Sequence, residues 1–372
     1  MPTPIDPQVI AAIRGAHDIL CISHVKPDGD AVGSLLGTGW LLRRLGKDPT
    51  LALQDGVPDE HQVLPGAADI LSAVQPAYAR DVVERAFDLV ICLDASSPDR
   101  MGTAYNPARH RTAPLLVIDH HITNTRFGDL NWVAPTCAAT CQMVAYLADA
   151  LGVALTGELA ECLLTGLVTD TLCFRTSNTD AEVLETAMRL MRGGANLAAI
   201  TQQTVNRRPF SLIKLWSLIL PTIHLEEGVI WATAEQTLFD LAGYPMNDIS
   251  LSSFLVTADE ADMSAVLVEK ADEISGAPVV ECSFRAKPGF DVAQLAFAFG
   301  GGGHPPASGC TLPGTLAEVE PQVIPALQAA RRAQAAARAT AQRAAGQPLL
   351  EAGSPDAEDQ DADKQDANGG VI

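Results

Sequence analysis

Over roughly the first two hundred residues, short apolar runs alternate with stretches whose apolar positions recur every three or four residues, the rhythm of a parallel α/β sheet. Residues 18–24 (Asp-Ile-Leu-Cys-Ile-Ser-His) read as a strand, and residues 31–45 as the helix after it, stopped by Gly46. Residues 50–53 predict a second strand. Residues 87–94 and 114–119 predict two more buried strands, with enough chain between them for crossovers. A helical stretch over about 181–221 leads to a different texture, with strands at 229–234, 263–269 and 279–285, a helix at 292–299 and a glycine run at 300–303. Residues 324–345, rich in Ala and carrying Arg331, Arg332, Arg338 and Arg343, predict one further helix.

A chain of 372 residues exceeds the usual size of one domain, so this pattern divides into parts. The expected division is a parallel-sheet α/β domain over 1–200, a helical linker over 201–224, a smaller α/β domain over 225–322, the Ala/Arg-rich helix over 323–345 and a disordered acidic tail over 346–372. Composition agrees with the α/β class, since 47% of residues are hydrophobic but only 5% aromatic. No apolar stretch reaches the roughly 20 residues that span a bilayer, and no basic region followed by an apolar one stands at the N-terminus. The expectation is a cytoplasmic protein without a membrane partner. Eight cysteines, scattered through apolar segments and forming no Cys-x-x-Cys pair, read as reduced core thiols.

Charge narrows the partners. The formal net charge is −20, of which the seven acids and one lysine of residues 346–372 account for only a part, so acidity is a property of the whole chain. Long nucleic acids are held by tracks of Lys and Arg, and none is visible. Attraction of a polyanion must then be local, because exposed charges beyond about 8 Å are largely screened. Small phosphorylated substrates fit this balance and long nucleic acids do not.

Candidate chemistry gathers at the ends of the predicted strands. His24-Val25-Lys26-Pro27-Asp28-Gly29-Asp30 places an imidazole and two carboxylates in one strand-to-helix turn. Asp94 ends the next buried strand, Asp119-His120-His121 ends another, and Asp170 follows the helical residues 158–168. Each fragment alone reads as a turn, a helix cap or a structural histidine. Together, at the edge where open α/β sheets place their sites, mixed imidazole and carboxylate donors suit Mn, Fe, Co or Zn, and the number of carboxylates favours two ions.

These segments resemble the DHH phosphoesterase family, and the second domain resembles its DHHA1 partner. The resemblance rests on His24-x-x-Pro-Asp28-x-Asp30, on Leu93-Asp94-Ala95-Ser96 continuing to Asp99-Arg100-Met101-Gly102, on Asp119-His120-His121 and on Thr169-Asp170. In the second domain it rests on Ser283-Phe284-Arg285 and Gly301-Gly302-Gly303-His304-x-x-Ala307-x-Gly309. It is similar in size and order to the stand-alone oligoribonuclease and phosphatase members. The resemblance implies one metal held by His24, Asp28 and Asp94, and a second by Asp30, Asp94, His120 and Asp170, with Asp94 bridging two divalent ions, manganese foremost. It implies Asp94, His120, His121 and Asp119 as the catalytic set, Asp119 orienting a neighbouring histidine. Arg100, His121, Arg285, Gly301, Gly302, Gly303 and His304 are the implied substrate contacts, with the active site in the interdomain cleft. Pro305-Pro306 stands where many relatives carry a polar or basic pair, and Gln142 where relatives often have Glu.

The implied activity is metal-assisted hydrolysis of very short oligonucleotides and dinucleotides to mononucleotides, with phosphatase action on the nucleotide bisphosphate 3′-phosphoadenosine 5′-phosphate. Cyclic-di-AMP phosphodiesterase is the alternative. A manganese inorganic pyrophosphatase, a single-strand DNA exonuclease and a non-catalytic nucleotide-binding module rank below it, the first because the glycine-rich histidine motif is present, the second for want of a basic channel, the third because every metal-ligand type is there. Oligomeric state stays open between monomer and homodimer.

Overall fold

The structure is a computed structural model describing residues 4–246, 249–272 and 275–344. The acidic segment 346–372 lies outside the described residues. The chain forms two compact units that divide between Arg207 and Arg208.

The first unit is built on five parallel strands, β1 Ile19–Ile22, β2 Thr50–Ala52, β3 Leu89–Leu93, β4 Leu115–Asp119 and β5 Leu130–Val133, in the order β2-β1-β3-β4-β5. The strands β1, β3 and β4 are buried along their whole length, which is why they read as continuous apolar runs. Numbering α-helices of five residues or more, the flanking set is α1 Pro7–Gly15, α2 Gly29–Arg44, α3 Thr140–Leu151, α4 Gly157–Asp170, α5 Ala181–Arg192 and α6 Leu197–Gln203. Cys21, Ile91 and Ile118 face one core with Leu35, Val144 and Leu163 of α2, α3 and α4, while Leu20, Ile22, Val90 and Val117 face a second core with Tyr78, Val82 and Met101.

The second unit contains a six-stranded mixed sheet ordered β10-β11-β9-β8-β7-β6. Its strands are β6 His224–Glu226, β7 Val229–Ala234, β8 Met263–Ala271, β9 Pro278–Ala286, β10 Gly302–His304 and β11 Ala307–Pro313. Its helices are α7 Phe210–Ile219, α8 Gln236–Ala242, α9 Leu251–Leu255, α10 Ala293–Ala298 and α11 Leu316–Ala344. One face of β7 and β8, carrying Ile230, Ala232 and Val266, is covered by Leu215 of α7, Phe239 of α8 and Leu251 of α9. The other face, carrying Ala265, Cys282, Phe284 and Cys310, is covered by Ala296 of α10 and Val319, Val323 and Leu327 of α11.

Two expected boundaries move. The stretch 201–224 is not a free-standing linker, because Leu212, Leu215 and Ile219 of α7 are buried in the second unit's own core. The last helix begins at Leu316 rather than 323, since the apolar stripe Val319, Val323, Leu327 starts a turn earlier; Pro321 and Pro325 inside it disguise the pattern.

Candidate metal centre

Between β1 and β3 the strand order reverses direction, so a crevice opens beyond their carboxyl ends. His24 lies just past β1, Asp94 directly past β3, and Asp119 ends β4 with His120 and His121 behind it. Asp28 is the N-cap of α2, its carboxylate accepting from the amides of Asp30 (3.1 Å) and Ala31 (3.0 Å), and this cap turns Asp30 into the first helical turn. Asp170 is the last residue of α4 rather than a residue beyond it, so a helix end, not a loop, aims it at the crevice. Asp94 holds a left-handed backbone (φ 57°), an uncommon conformation that aspartate tolerates and that functional sites retain.

Three overlapping donor groups result: His24, Asp28 and Asp94; Asp30, His120 and Asp170; and Asp94, His120 and His121. His24 Nε2 is 3.8 Å from Asp28 Oδ1 and 3.6 Å from Asp94 Oδ2. His120 Nε2 is 3.9 Å from Asp30, 3.6 Å from Asp94 Oδ1 and 3.5 Å from Asp170. Such separations are too long for hydrogen bonds, but two ligands of one ion, each about 2.1 Å from it, sit roughly 3 to 3.5 Å apart. The two oxygens of Asp94 point to different groups, Oδ2 toward His24 and Oδ1 toward His120, which is the disposition of a bridging carboxylate. The donor set therefore fits divalent cations of the transition series.

Backbone amides buttress the buried acids. At the start of α3 the amides of Thr140 and Cys141 donate to the two oxygens of Asp30 at 2.6 and 2.9 Å, and Thr140 Oγ1 donates to Asp94 Oδ1 at 2.9 Å. Glycine lets α4 come close: a Cβ on Gly166 would stand 2.8 Å from Asp30 Oδ1 and 2.3 Å from Cys141 Sγ. Gln142 does not reach the crevice, since it accepts from the Ala138 amide and donates to Tyr146. His121 Nδ1 donates to Asp119 Oδ1 at 2.8 Å, and Asn124 donates to the other oxygen of the same carboxylate at 2.6 Å. Asp119 itself is fully buried and is in none of the three donor groups.

The electrostatics show an uncompensated excess of negative charge. Burial, with Asp94 and Asp170 beside it, drives the Asp30 carboxyl well above its ordinary range. Asp170 is pushed up to about 6 by burial and by Asp94 and Asp28, against the pull of His120 and His121. His24 is raised to about 10: burial opposes its charge, and Asp28, Asp94 and the Val25 carbonyl outweigh burial. His121 is raised to about 9, first by Asp119 and against burial. Bound cations would offset the repulsion among Asp28, Asp30, Asp94 and Asp170 and would take the place of the proton on His24.

Arg100 braces His24. Its guanidinium Nη2 is 2.8 Å from His24 Nδ1, and its carbonyl accepts from the Val25 amide at 2.8 Å. The same Nδ1 lies 2.8 Å from the Val25 carbonyl: without a proton it accepts from Arg100, and with one it donates to that carbonyl instead and leaves Nε2 as the ligand atom. The second-unit residues come together separately. His304, Ala307 and Arg285 are direct partners across β10, β11 and β9, and Gly302, Gly309 and Ser283 form the next row on the same face. Arg285 Nε donates to Ser253 Oγ at 3.0 Å, which holds the guanidinium over the sheet. Gly301 packs beneath, where a Cβ would collide with the Gly309 carbonyl at 2.1 Å, and Gly303 has a left-handed φ of 134°. Sequence reasoning missed Thr140, Cys141, Asn124 and Ser253; an Asn a few residues past Asp119-His120-His121 was the only visible signal.

Comparison with known proteins places this arrangement. The DHH family, N-terminal domain, matches residues 18–167. A bifunctional oligoribonuclease and PAP phosphatase, NrnA, of Thermus thermophilus is 35% identical over 314 residues, covering 82% of this chain and 87% of that protein. Its namesake in Bacillus subtilis is 26% identical over 321 residues, covering 82% of this chain and 92% of that one. The fold is shared with a crystal structure of an exopolyphosphatase-related protein from Bacteroides fragilis (TM-score 0.76, 24% identity), over 87% of this chain and 94% of that chain. The chain belongs to the DHH family of phosphoester hydrolases.

Proposed function

We propose that this protein hydrolyses dinucleotides and very short oligonucleotides to mononucleotides, and removes a phosphate from 3′-phosphoadenosine 5′-phosphate. The observation that carries the reading is Asp94, whose two oxygens face two separate imidazole–carboxylate groups at the switch point of a parallel sheet. The 35% identity to a protein named as an oligoribonuclease and PAP phosphatase supports the choice of substrate, and the net charge of −20 speaks against long nucleic acids.

Two divalent ions, manganese by preference for these mixed donors, would be held by His24, Asp28 and Asp94 and by Asp30, Asp94, His120 and Asp170. When bound, they supply Lewis acidity toward water and toward the phosphoryl group. The chain's own residues do the rest. Thr140 and the amides of α3 fix Asp30 and Asp94 so that their remaining lone pairs face the crevice. Asp119 keeps the His121 proton on Nδ1 and favours the imidazolium, leaving Nε2–H to donate to a phosphoryl oxygen and to protonate the leaving oxygen as the P–O bond breaks. Arg285 and His304 grip the nucleotide that is not being cleaved.

The test is manganese-supported turnover of pApA, pGpG and 3′-phosphoadenosine 5′-phosphate by the wild type and by Asp94→Ala. Turnover of these substrates that vanishes with Asp94 is the expected result. Activity on pyrophosphate alone would contradict the reading.

A further inference from the structure

The face of the second sheet that α7, α8 and α9 cover over β7 and β8 continues beyond them over β9, β11 and β10. There the side chains are Ser283, Gly309 and Gly302 in one row, and Arg285, Ala307 and His304 in the next. Strands lie about 4.8 Å apart, so Arg285 and His304 stand roughly 10 Å from each other with only a methyl group between them. Small side chains make the floor, and the two cationic or polar ones stand at its ends.

Phe297 flanks this shelf. It lies on α10, whose Ala293 and Ala296 face the core, yet its own side chain is 62% exposed. A Cβ built on Gly302 would meet Phe297 Cε1 at 3.6 Å, so the ring lies beside the backbone of β10 on the side toward which Gly302 would project. Single exposed apolar residues are ordinary. An exposed aromatic ring set beside a phosphate-grade pair of donors, with glycine in the intervening positions, is the makeup of a nucleotide site, because a flat base stacks on an aromatic ring while the phosphate takes the hydrogen bonds.

We propose that Phe297 is the stacking surface for the nucleobase of the nucleotide held by Arg285 and His304, and so a specificity-determining residue for substrates that carry a base at that end. This rests on the nucleotide reading above. The experiment measures KM and kcat for pApA and for two analogues, each lacking one of the two bases, in wild type, Phe297→Ala and Phe297→Trp. Phe297→Ala should raise KM for pApA about tenfold with kcat little changed. For one abasic analogue the wild-type KM should already be high and the substitution should add nothing, while Phe297→Trp should preserve the wild-type pattern. No change with pApA, or equal losses on pApA and both analogues, would overturn the proposal. A wild type that hydrolyses no dinucleotide would instead remove the functional reading beneath it.

Discussion

In the first unit, acids and imidazoles converge at the ends of buried parallel strands, and Asp30, Asp94 and Asp119 have at most 2% of their surface exposed. In the second unit, Arg285 and His304 stand on antiparallel strands of a mixed sheet, beyond the part that α7, α8 and α9 cover, and they depend on strand register for their spacing. The first arrangement concentrates like charge in a dry place, which costs stability until a cation arrives. The second keeps its polar groups in contact with water and strains nothing. Chemistry that must polarise a phosphoryl group uses the first kind of site; recognition of a small polar ligand uses the second.

This contrast breaks most sharply at Asp94. Asp94→Asn should lower turnover about a thousandfold or more, since it removes the carboxylate shared by two of the three donor groups. The same substitution removes a buried negative charge from beside Asp30 and Asp170, so the metal-free protein should melt no lower than wild type in calorimetry. A large drop in metal-free melting temperature would show that Asp94 is structural.

Arg285→Ala acts on the other site. It should raise KM for dinucleotides by about 10- to 100-fold, the worth of one charge-assisted hydrogen bond, while leaving kcat and melting temperature nearly unchanged. Unaltered KM and length preference would remove the second unit from substrate binding.

Asp119→Asn sharpens the account of the first site. Loss of the carboxylate that is the first cause of the raised His121 pKa should lower that pKa, so the alkaline limb of the activity profile moves to lower pH. The accompanying loss near neutral pH should be about 10- to 100-fold. An unshifted alkaline limb would mean that the His121 imidazolium takes no part.

Gly166→Ala gives the smallest effect. Its methyl would press on Cys141 Sγ and Asp30 Oδ1, and the overpacking should cost about 1 to 3 kcal/mol in denaturant unfolding. An unaltered midpoint would show that α4 can shift without cost.

The same contrast explains what the sequence revealed. Strands β1, β3 and β4 were legible because both faces are buried, and their terminal His24, Asp94 and Asp119 stood out because no core requires them. Strand β5 escaped notice: it is short, and Asn131 in its middle interrupts the apolar run. The buttress of Asp30 is made by backbone amides of Thr140 and Cys141, which have no side-chain signature. Nor does anything announce the left-handed backbone at Leu172, Cys173 and Phe174 (φ 47°, 60° and 63°) just past Asp170, where glycine would be the usual marker. The shelf of the second unit is a property of register. Arg285 and His304 are visible as residues, but that Ala307 lies directly between them follows only from the pairing of three strands.

The most direct test of the account is the ratio of kcat/KM for pApA to that for a long single-stranded oligonucleotide, measured with manganese at physiological salt. The account predicts a ratio far above one, with fast release of mononucleotides from the dinucleotide. A ratio of one or less would contradict it, since a net charge of −20 disfavours the longer polyanion.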